Sequence, residues 1–280
     1  MAANEKQWSS AHPGELIFLL DQSGSMEKEF YNGKSRAYFA AMAINNLIDY
    51  TIEKNYNGTR PKDRCHIAVI GYDTNVRCIV EGFLSDLDSK TDTPEAPVEQ
   101  VETLLLGHNG QTSTASTDLP LWVSPRSGGT TNMKGAFELA LEIIKKWMTT
   151  CPDNPAPVII NITDGEPFWS MKKVSECMDE VRSVVDEIKQ IDTKDGKVQL
   201  FNVLIGNGTD SCVFPREIAS NWNENERFLF DISTIIPNSD TFKSAAKKNG
   251  LNLQPDSRGV ALNVGGKDLV KVIDFGSSKK

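Results

Sequence analysis

An apolar run that ends abruptly in polar residues is the feature that most constrains this chain. Residues 16–20 read Leu-Ile-Phe-Leu-Leu, and the sequence continues as Asp21-Gln22-Ser23-Gly24-Ser25. A run of this kind is typical of a strand buried on both faces, as in a parallel sheet covered by helices. In such sheets the functional groups lie on loops beyond the carboxyl ends of the strands. The run therefore predicts an α/β fold with polar functional residues at the end of this strand.

The loop that follows offers only oxygen atoms as ligands. Asp21 contributes a carboxylate, and Ser23 and Ser25 contribute hydroxyls at alternate positions. Oxygen donors suit a hard divalent cation, with Mg²⁺ as the first candidate. The alternative is that these residues only cap a helix. The loop alone leaves both interpretations open.

Two further segments join apolar runs to polar loops. Residues 127–133 (Ser-Gly-Gly-Thr-Thr-Asn-Met) precede a helical pattern, and residues 158–165 (Val-Ile-Ile-Asn-Ile-Thr-Asp-Gly) form a second apolar strand that ends in an acid. The three segments together resemble the von Willebrand factor type A (VWA) family. Its metal ion-dependent adhesion site combines an Asp-x-Ser-x-Ser loop with a threonine and an aspartate on two other loops. One such motif occurs by chance, but three in this order form a specific pattern.

The resemblance implies a complete metal site that holds Mg²⁺ (or Mn²⁺). Its ligands would be Asp21, Ser23, Ser25, Thr131 and Asp164. In the family the acids often act through water, and the threonine coordinates directly when a ligand is bound. The family also places a small residue five positions after this threonine. Ala136 has that spacing from Thr131, which is therefore preferred to Thr130.

The resemblance also implies the function. These ligands leave one coordination position, which a Glu or Asp carboxylate of a partner protein fits. We therefore expect a metal-dependent protein-interaction module without catalytic activity. Residues 257–260 (Ser-Arg-Gly-Val) further resemble bacterial VWA proteins of the tellurite-resistance and stress-associated type, which implies a scaffold or regulator in a stress or defence system. Five loop residues are expected to face the partner, namely Gln22, Met26, Glu166, Phe168 and Trp169.

The alternative function is a hydrolase or phosphatase that uses Asp21 and the metal. An acid after a first buried strand also begins the haloacid dehalogenase-type phosphatase motif. That motif requires a second acid two residues later, where this chain has Ser23. The sequence also has no Gly-x-x-x-x-Gly-Lys-Ser/Thr loop for a nucleoside triphosphate and no histidine next to a strand-end nucleophile.

Composition argues against several other classes of protein. The net charge of −8 argues against a nucleic-acid surface. No run approaches the roughly 20 apolar residues of a membrane span, and residues 1–15 lack the apolar core of a signal peptide. The five cysteines are scattered without a Cys-x-x-Cys pair, as expected for reduced thiols. We therefore expect a cytoplasmic protein that is a monomer or weak oligomer by itself.

Alternating strand and helix patterns predict a doubly wound, mostly parallel sheet with helices on both faces and one antiparallel edge strand. We expect one domain over residues 13–276, with tails at 1–12 and 277–280.

Helices are predicted at 34–54, 98–105, 133–148, 171–191, 240–249 and 266–275. Strands beyond the first are predicted at 65–72, 76–83, 158–165, 198–205 and 227–232, with an extended segment at 259–263. Residues 85–97 are expected to form a loop. A loop insertion rich in Ser and Thr is expected at about 107–127, with its apolar residues 119–123 docked on the domain.

Overall fold

The structure is a computed structural model that describes residues 4–91, 96–106 and 112–277. Its strands are β1 (Gly14–Asp21), β2 (Glu29–Tyr31), β3 (Lys34–Ser35), β4 (Cys65–Tyr72), β5 (Val76–Phe83), β6 (Val98–Leu106), β7 (Thr112–Pro120), β8 (Val158–Thr163), β9 (Gln199–Ile205), β10 (Cys212–Val213) and β11 (Val260–Val264). Its helices are α1 (Arg36–Asn55), α2 (Leu84–Thr91), α3 (Met133–Thr150), α4 (Val174–Gln190), α5 (Glu224–Ile232), α6 (Asp240–Lys248) and α7 (Gly266–Gly276), and a 3₁₀ turn covers Gly24–Glu27.

A seven-stranded sheet in the order β10-β11-β9-β8-β1-β4-β5 forms the centre of the domain. β1 pairs in parallel with both β4 and β8, and the parallel pairing continues through β9 to β11. β5 runs antiparallel to β4 at one edge. The predicted doubly wound sheet with an antiparallel edge strand is confirmed. The opposite edge carries the two-residue strand β10, antiparallel to β11, which the sequence analysis did not anticipate.

Alternation along β1 divides the core between the two faces of the sheet. Leu16, Phe18 and Leu20 pack with α1, α6 and α7 on one face. Ile17 and Leu19 pack with α3, α4 and α5 on the other. All five side chains are at most 2% exposed, as a parallel strand covered on both faces requires.

This topology places a cleft at the carboxyl end of β1. The chain leaves β1 through α1 to β4 on one side, whereas it leaves β8 through α4 to β9 on the other. The loops that follow β1 and β8 therefore diverge between neighbouring strands, which is where ligands bind in open α/β sheets.

The segment between β5 and α3 departs from its prediction. The helix predicted at 98–105 is wrong, because these residues form β6 and pair with β7 from Val98–Pro120 to Leu106–Thr112. Residues 112–120 were expected to be loop, but their threonines are β-branched and suit an extended strand. The apolar residues 119–123 do dock on the domain, since Leu119 and Val123 are buried beside α1. Residues 107–111 of the expected loop lie outside the described residues.

Two further secondary-structure predictions are wrong. Residues 85–91 of the expected loop belong to α2, while residues 92–95 are not described. Residues 227–232 belong to α5 rather than to a strand. The capping box of Asn223 and Glu226 starts this helix, and the alternation in Arg-Phe-Leu-Phe-Asp-Ile conceals it. The sheet position is taken instead by β11, which matches the predicted extended segment at 259–263.

The amino-terminal residues pack against the domain. Trp8 is 4% exposed and covers Gly14, where a Cβ atom would come within 2.0 Å of the indole. Asn4 donates hydrogen bonds to the backbone carbonyls of Asp195 and Lys197. Residues 4–8 are therefore part of the folded structure, while residues 1–3 and 278–280 lie outside the described residues.

The five cysteines are free thiols in the structure. Within residues 4–91, 96–106 and 112–277, no helix combines the length and apolar character that crossing a membrane requires.

A buried acid and a histidine form a pair at the amino end of the sheet. Glu15 Oε2 lies 2.8 Å from His66 Nδ1, and Glu15 is fully buried. Burial raises the pKa of Glu15 to about 6. Burial works against the charged form of His66, but its hydrogen bond to Glu15 and the charge of Glu15 outweigh that effect and raise the His66 pKa. Both groups therefore bind protons more tightly in the folded chain than in the unfolded chain.

We expect this pair to make the protein less stable as the pH rises. Glu15 contributes stability that is complete below its ordinary pKa of 4.5 and is lost as the pH rises through about 6, a change of about 2 kcal/mol in the free energy of unfolding. Urea unfolding at pH 4.5 and pH 7 should show a loss that is about 2 kcal/mol larger in the wild type than in Glu15→Gln. The exposed Glu138→Gln is the control. An equal pH dependence in wild type and Glu15→Gln would contradict the prediction.

Candidate metal centre

Asp21, the last residue of β1, is held at the floor of the cleft. Its Oδ1 accepts a 2.8 Å hydrogen bond from the backbone N–H of Ser23. Its Oδ2 accepts a 2.6 Å bond from the hydroxyl of Thr163, the last residue of the adjacent strand β8. The carboxylate is fully buried. Its position is therefore fixed by the β1–β8 pairing and by the first turn of its own loop.

The electrostatics of Asp21 favour a cation. Burial raises its pKa to about 6 against the opposing hydrogen bonds from Ser23 and Thr163, and the charge of Asp164 adds to the increase. In the part of the chain that the structure describes, no basic side chain forms an ion pair with Asp21. A buried carboxylate without a counter-ion is costly, and a bound cation would offset that cost.

The two serines connect Asp21 to the loop after β8. The hydroxyls of Ser23 and Ser25 are 3.1 Å apart. Ser25 donates a 2.5 Å hydrogen bond to Oδ1 of Asp164. The structure thus brings together four of the residues that the sequence analysis selected, Asp21, Ser23, Ser25 and Asp164.

Arg36, which the sequence analysis missed, pairs with the second carboxylate. Its Nη1 lies 2.6 Å from Asp164 Oδ2, and the Asp164 side chain is fully buried. Arg36 is the first residue of α1, where the helix dipole disfavours a positive charge. That unfavourable position is the one sequence signal that could have identified it. Two carboxylates and one guanidinium leave the centre with a net charge of −1.

The loop before α3 closes the third side of the centre. The N–H of Gly24 donates to the carbonyl of Gly129 over 3.2 Å, which joins this loop to the one after β1. The backbone of Thr131 exchanges two hydrogen bonds with Phe168, of 2.8 and 3.0 Å, which joins it to the loop after β8. Gly129 has φ of +72° and a Cβ atom there would lie 2.5 Å from Thr74, so glycine is required. Thr131 therefore lies between the two loops that carry the acids.

The two neighbouring threonines have different surroundings. The hydroxyl of Thr130 lies 3.3 Å from that of Thr74 in the β4–β5 turn. Thr131 is 8% exposed, and among the described residues its hydroxyl has no hydrogen-bond partner. The free hydroxyl of Thr131 is the one that a cation could use.

Two of the residues expected to face a partner do not. Gln22 is 2% exposed and accepts a hydrogen bond from Arg77, which ties the loop after β1 to β5. Met26 is fully buried in the core. Both expectations are wrong because the 3₁₀ turn at Gly24–Glu27 turns the loop back into the protein.

The loop after β8 does face solvent. Glu166 is exposed and Phe168 is 44% exposed, as expected, while Trp169 is half-buried against the core. Met171 is 98% exposed, and sequence reasoning missed it. Both Ser170 and Met171 have positive φ, and Phe168, which bonds the backbone of Thr131, adds a second exposed apolar side chain to this loop.

The donor set consists of oxygen atoms only. Across the described ranges, no three His, Cys, Asp or Glu side chains converge on a common point. A cation in this cleft would therefore depend on hydroxyls as well as on the two acids, which favours Mg²⁺ or Mn²⁺ over Zn²⁺.

No protein-family model matches the sequence, and no curated protein matches it. Solved structures do show similarity. BatB from Bacteroides thetaiotaomicron is 14% identical over 94% of this chain and 98% of its own, with a TM-score of 0.44. The ArnB paralog VWA2 from Sulfolobus acidocaldarius is 16% identical over 71% of this chain and 36% of its own, with a TM-score of 0.37.

The type V pili tip protein Mfa5 from Porphyromonas gingivalis is also similar. Its vWF domain is 16% identical over 56% of this chain, with a TM-score of 0.35. The match covers 39% of that structure and 20% of a structure with three amino-terminal domains of Mfa5. Because all these TM-scores are below 0.5, the fold is assigned from the strand order and register described above.

Proposed function

We propose that this chain is a VWA-type protein-interaction module that binds Mg²⁺ (or Mn²⁺) and, through it, an acidic side chain of a protein partner. The observation that carries the proposal is the junction of Asp21, Ser23, Ser25 and Asp164 at the carboxyl ends of β1 and β8. These residues come from separate loops and form one continuous set of oxygen atoms. Thr131 adds a fifth donor from the loop between them.

The residues fit a divalent cation for three reasons. All donors are hard oxygen atoms. The centre carries a net negative charge, and Asp21 is buried without a basic partner among the residues that the structure describes. Thr131 is 8% exposed, and its hydroxyl has no hydrogen-bond partner in the described part of the chain. A cation held here would supply positive charge and a coordination position for a carboxylate.

Charges at the rim support an acidic partner. Arg77 and Arg126 converge on Asp73 at the β4–β5 turn, next to the loop before α3. The Arg126 side chain is 61% exposed, so its charge reaches solvent. Two arginines on one buried carboxylate leave an excess positive charge, which would attract acidic groups towards the cleft.

A non-catalytic role is part of the proposal. The two histidines in the described ranges make contacts elsewhere, His66 with Glu15 and His12 with Asn154. Neither is near Asp21, so the hydrolase alternative gains no acid–base group from them. The likeness of residues 257–260 to tellurite-resistance and stress-associated VWA proteins supports a role as a scaffold or regulator in a bacterial stress or defence system, and we propose that the protein acts in the cytoplasm.

A displayed peptide library tests the function without a known partner. The immobilised protein should enrich peptides in Mg²⁺ that EDTA then elutes, and these peptides should share a Glu or Asp. Conversion of that residue to Gln or Asn should abolish binding. Enrichment that survives EDTA, or peptides without an acidic residue, would contradict the proposal.

Two adjacent substitutions test the ligand assignment. Thr131→Val removes the free hydroxyl and should weaken Mn²⁺ binding about tenfold or more, while Thr130→Val should leave it unchanged because that hydroxyl bonds Thr74. Mn²⁺ electron paramagnetic resonance measures both affinities, and each variant is the control for the other. A larger loss in Thr130→Val would reverse the assignment.

A further inference from the structure

A polar cavity adjoins the candidate metal centre. It has a volume of about 380 Å³ and lies beside Asp164, across the carboxyl ends of β8, β9 and β11. We call it the asparagine groove, because four asparagines line it, Asn207, Asn223, Asn225 and Asn263, together with the guanidinium of Arg36 and the carboxylates of Asp164 and Glu166. Ligands of open α/β sheets bind at this end of the strands.

Two residues that line this groove each carry a buried polar atom that has no partner among the described residues. Asn225 is 6% exposed, and within the described residues its Oδ1 accepts no hydrogen bond. The Nε of Arg36 is buried and, over the same residues, donates none. Unpaired buried polar atoms destabilise a fold, and few are retained without a reason. One acceptor and one donor at the groove are thus unpaired, and a shift of these side chains would expose them to a bound group.

Backbone strain occurs at the same place. Asn263 has φ of +53°, at an irregularity in the β9–β11 pairing. Gly206 faces it so closely that a Cβ atom would lie 2.7 Å from Asn263 Cα. Asn207 and Asn263 also line a second cavity of about 310 Å³, so the groove continues away from Asp164. Strained residues concentrate at binding sites, and this one shapes a cleft longer than one side chain.

We propose that the asparagine groove binds the main chain of the partner segment that flanks the metal-bound acidic residue, which rests on the function proposed above. A peptide group has an N–H to donate to Asn225 Oδ1 and a carbonyl to accept from Arg36 Nε. The four carboxamides are uncharged and therefore suit the peptide groups of the partner's backbone. A second acidic side chain of the partner would be repelled by Glu166. The groove and the second cavity, of about 380 and 310 Å³, offer this segment more room than a single side chain needs.

Stability measurements test the groove without any ligand. Asn225→Leu removes an acceptor that has no partner, so its melting temperature should equal or exceed that of the wild type. Asn45 is the matched control, because it is fully buried and makes three hydrogen bonds with the backbone of Trp122 and Val123. Asn45→Leu should lower the melting temperature. If Asn225→Leu lowers it equally, Asn225 is a structural residue and the proposal is wrong.

Peptide binding tests the contact itself. A synthetic peptide from the Mg²⁺-dependent selection is N-methylated at each position that flanks its acidic residue. At one of these positions, the N-methyl group should weaken peptide binding to the wild type about tenfold. Asn225→Leu should bind the unmodified peptide about tenfold more weakly than the wild type does. Its affinity for the peptide methylated at that position should be the same as for the unmodified peptide. The exposed Asn46→Leu should behave as the wild type.

The outcomes separate the two proposals. EDTA-sensitive binding that N-methylation and Asn225→Leu leave unchanged would overturn the groove and leave the metal-dependent function standing. Binding that EDTA does not affect, or the absence of any enriched peptide, would overturn the function and the groove with it.

Discussion

Asp21→Asn should abolish Mg²⁺ binding and leave the metal-free protein at least as stable as the wild type. Asparagine has nearly the same shape and can still accept the hydrogen bond from Ser23. It removes a charge that is fully buried and that no basic side chain of the described residues compensates. Because burial raises the pKa of Asp21 from 3.8 to about 6, ionisation of Asp21 at pH 7 opposes folding by up to about 3 kcal/mol.

Chemical unfolding with and without Mg²⁺ measures both effects. At a free Mg²⁺ concentration of about 100 times the dissociation constant, the wild type should gain about 2.7 kcal/mol, and Asp21→Asn should gain nothing. The control is Asp256→Asn, which makes the same charge change at an exposed position with φ of +64° that asparagine tolerates. This control should keep the full Mg²⁺ effect. Loss of the fold in Asp21→Asn would show that Asp21 is structural, which would contradict the metal site.

The central sheet could be predicted because its strands leave few alternatives. Five apolar residues in succession, as in β1, cannot alternate between core and solvent, so they require cover on both faces. β4, β8 and β9 have the same character, and parallel neighbours need helical connections between them. The order of strands and helices in the chain then defines the doubly wound class without any knowledge of distant contacts.

The peripheral elements could not be predicted in the same way, because their local patterns are ambiguous. β6 contains both a helical and a strand pattern, and its pairing with β7 decides between them. The sequence Arg-Phe-Leu-Phe-Asp-Ile in α5 alternates as a strand does, although its cap belongs to a helix. In both cases the deciding contact lies outside the window in which the pattern is measured.

The candidate site also combines features that the local sequence predicts with features that depend on distant contacts. Motif spacing selects Asp21, Ser23 and Ser25, and the hydrogen bonds join them to Asp164. The choice between the two threonines needs the fold, because the partner of the Thr130 hydroxyl is 56 residues away in the chain. Spacing along a loop also does not determine burial, so Gln22 and Met26 were wrongly expected at the rim.

Arg36→Met should destabilise the metal-free protein by about 3 kcal/mol and increase the stabilisation by Mg²⁺. The substitution keeps an apolar stem but leaves Asp164 buried without a counter-ion, and loss of one partner of a buried pair typically costs about 3–5 kcal/mol. We expect the lower end of this energy range because the Arg36 side chain is 21% exposed. In the wild type, Arg36 and a cation would share Asp164. Without Arg36, the cation would be the sole counter-ion of both acids, so its affinity should rise.

Unfolding of wild type and Arg36→Met at several Mg²⁺ concentrations tests this competition, because their difference in stability should narrow as Mg²⁺ increases. Arg77→Met is the matched control. Arg77 also pairs with a largely buried aspartate at this end of the sheet, but at 3.4 Å and with a side chain that is 34% exposed. Because Arg77→Met also leaves the buried Gln22 without its hydrogen bond, it should cost about 2 kcal/mol, and this cost should be the same from EDTA to saturating Mg²⁺. If the deficit of Arg36→Met stays constant from EDTA to saturating Mg²⁺, Arg36 and the cation do not act on the same carboxylate, and Asp164 is not part of the metal site.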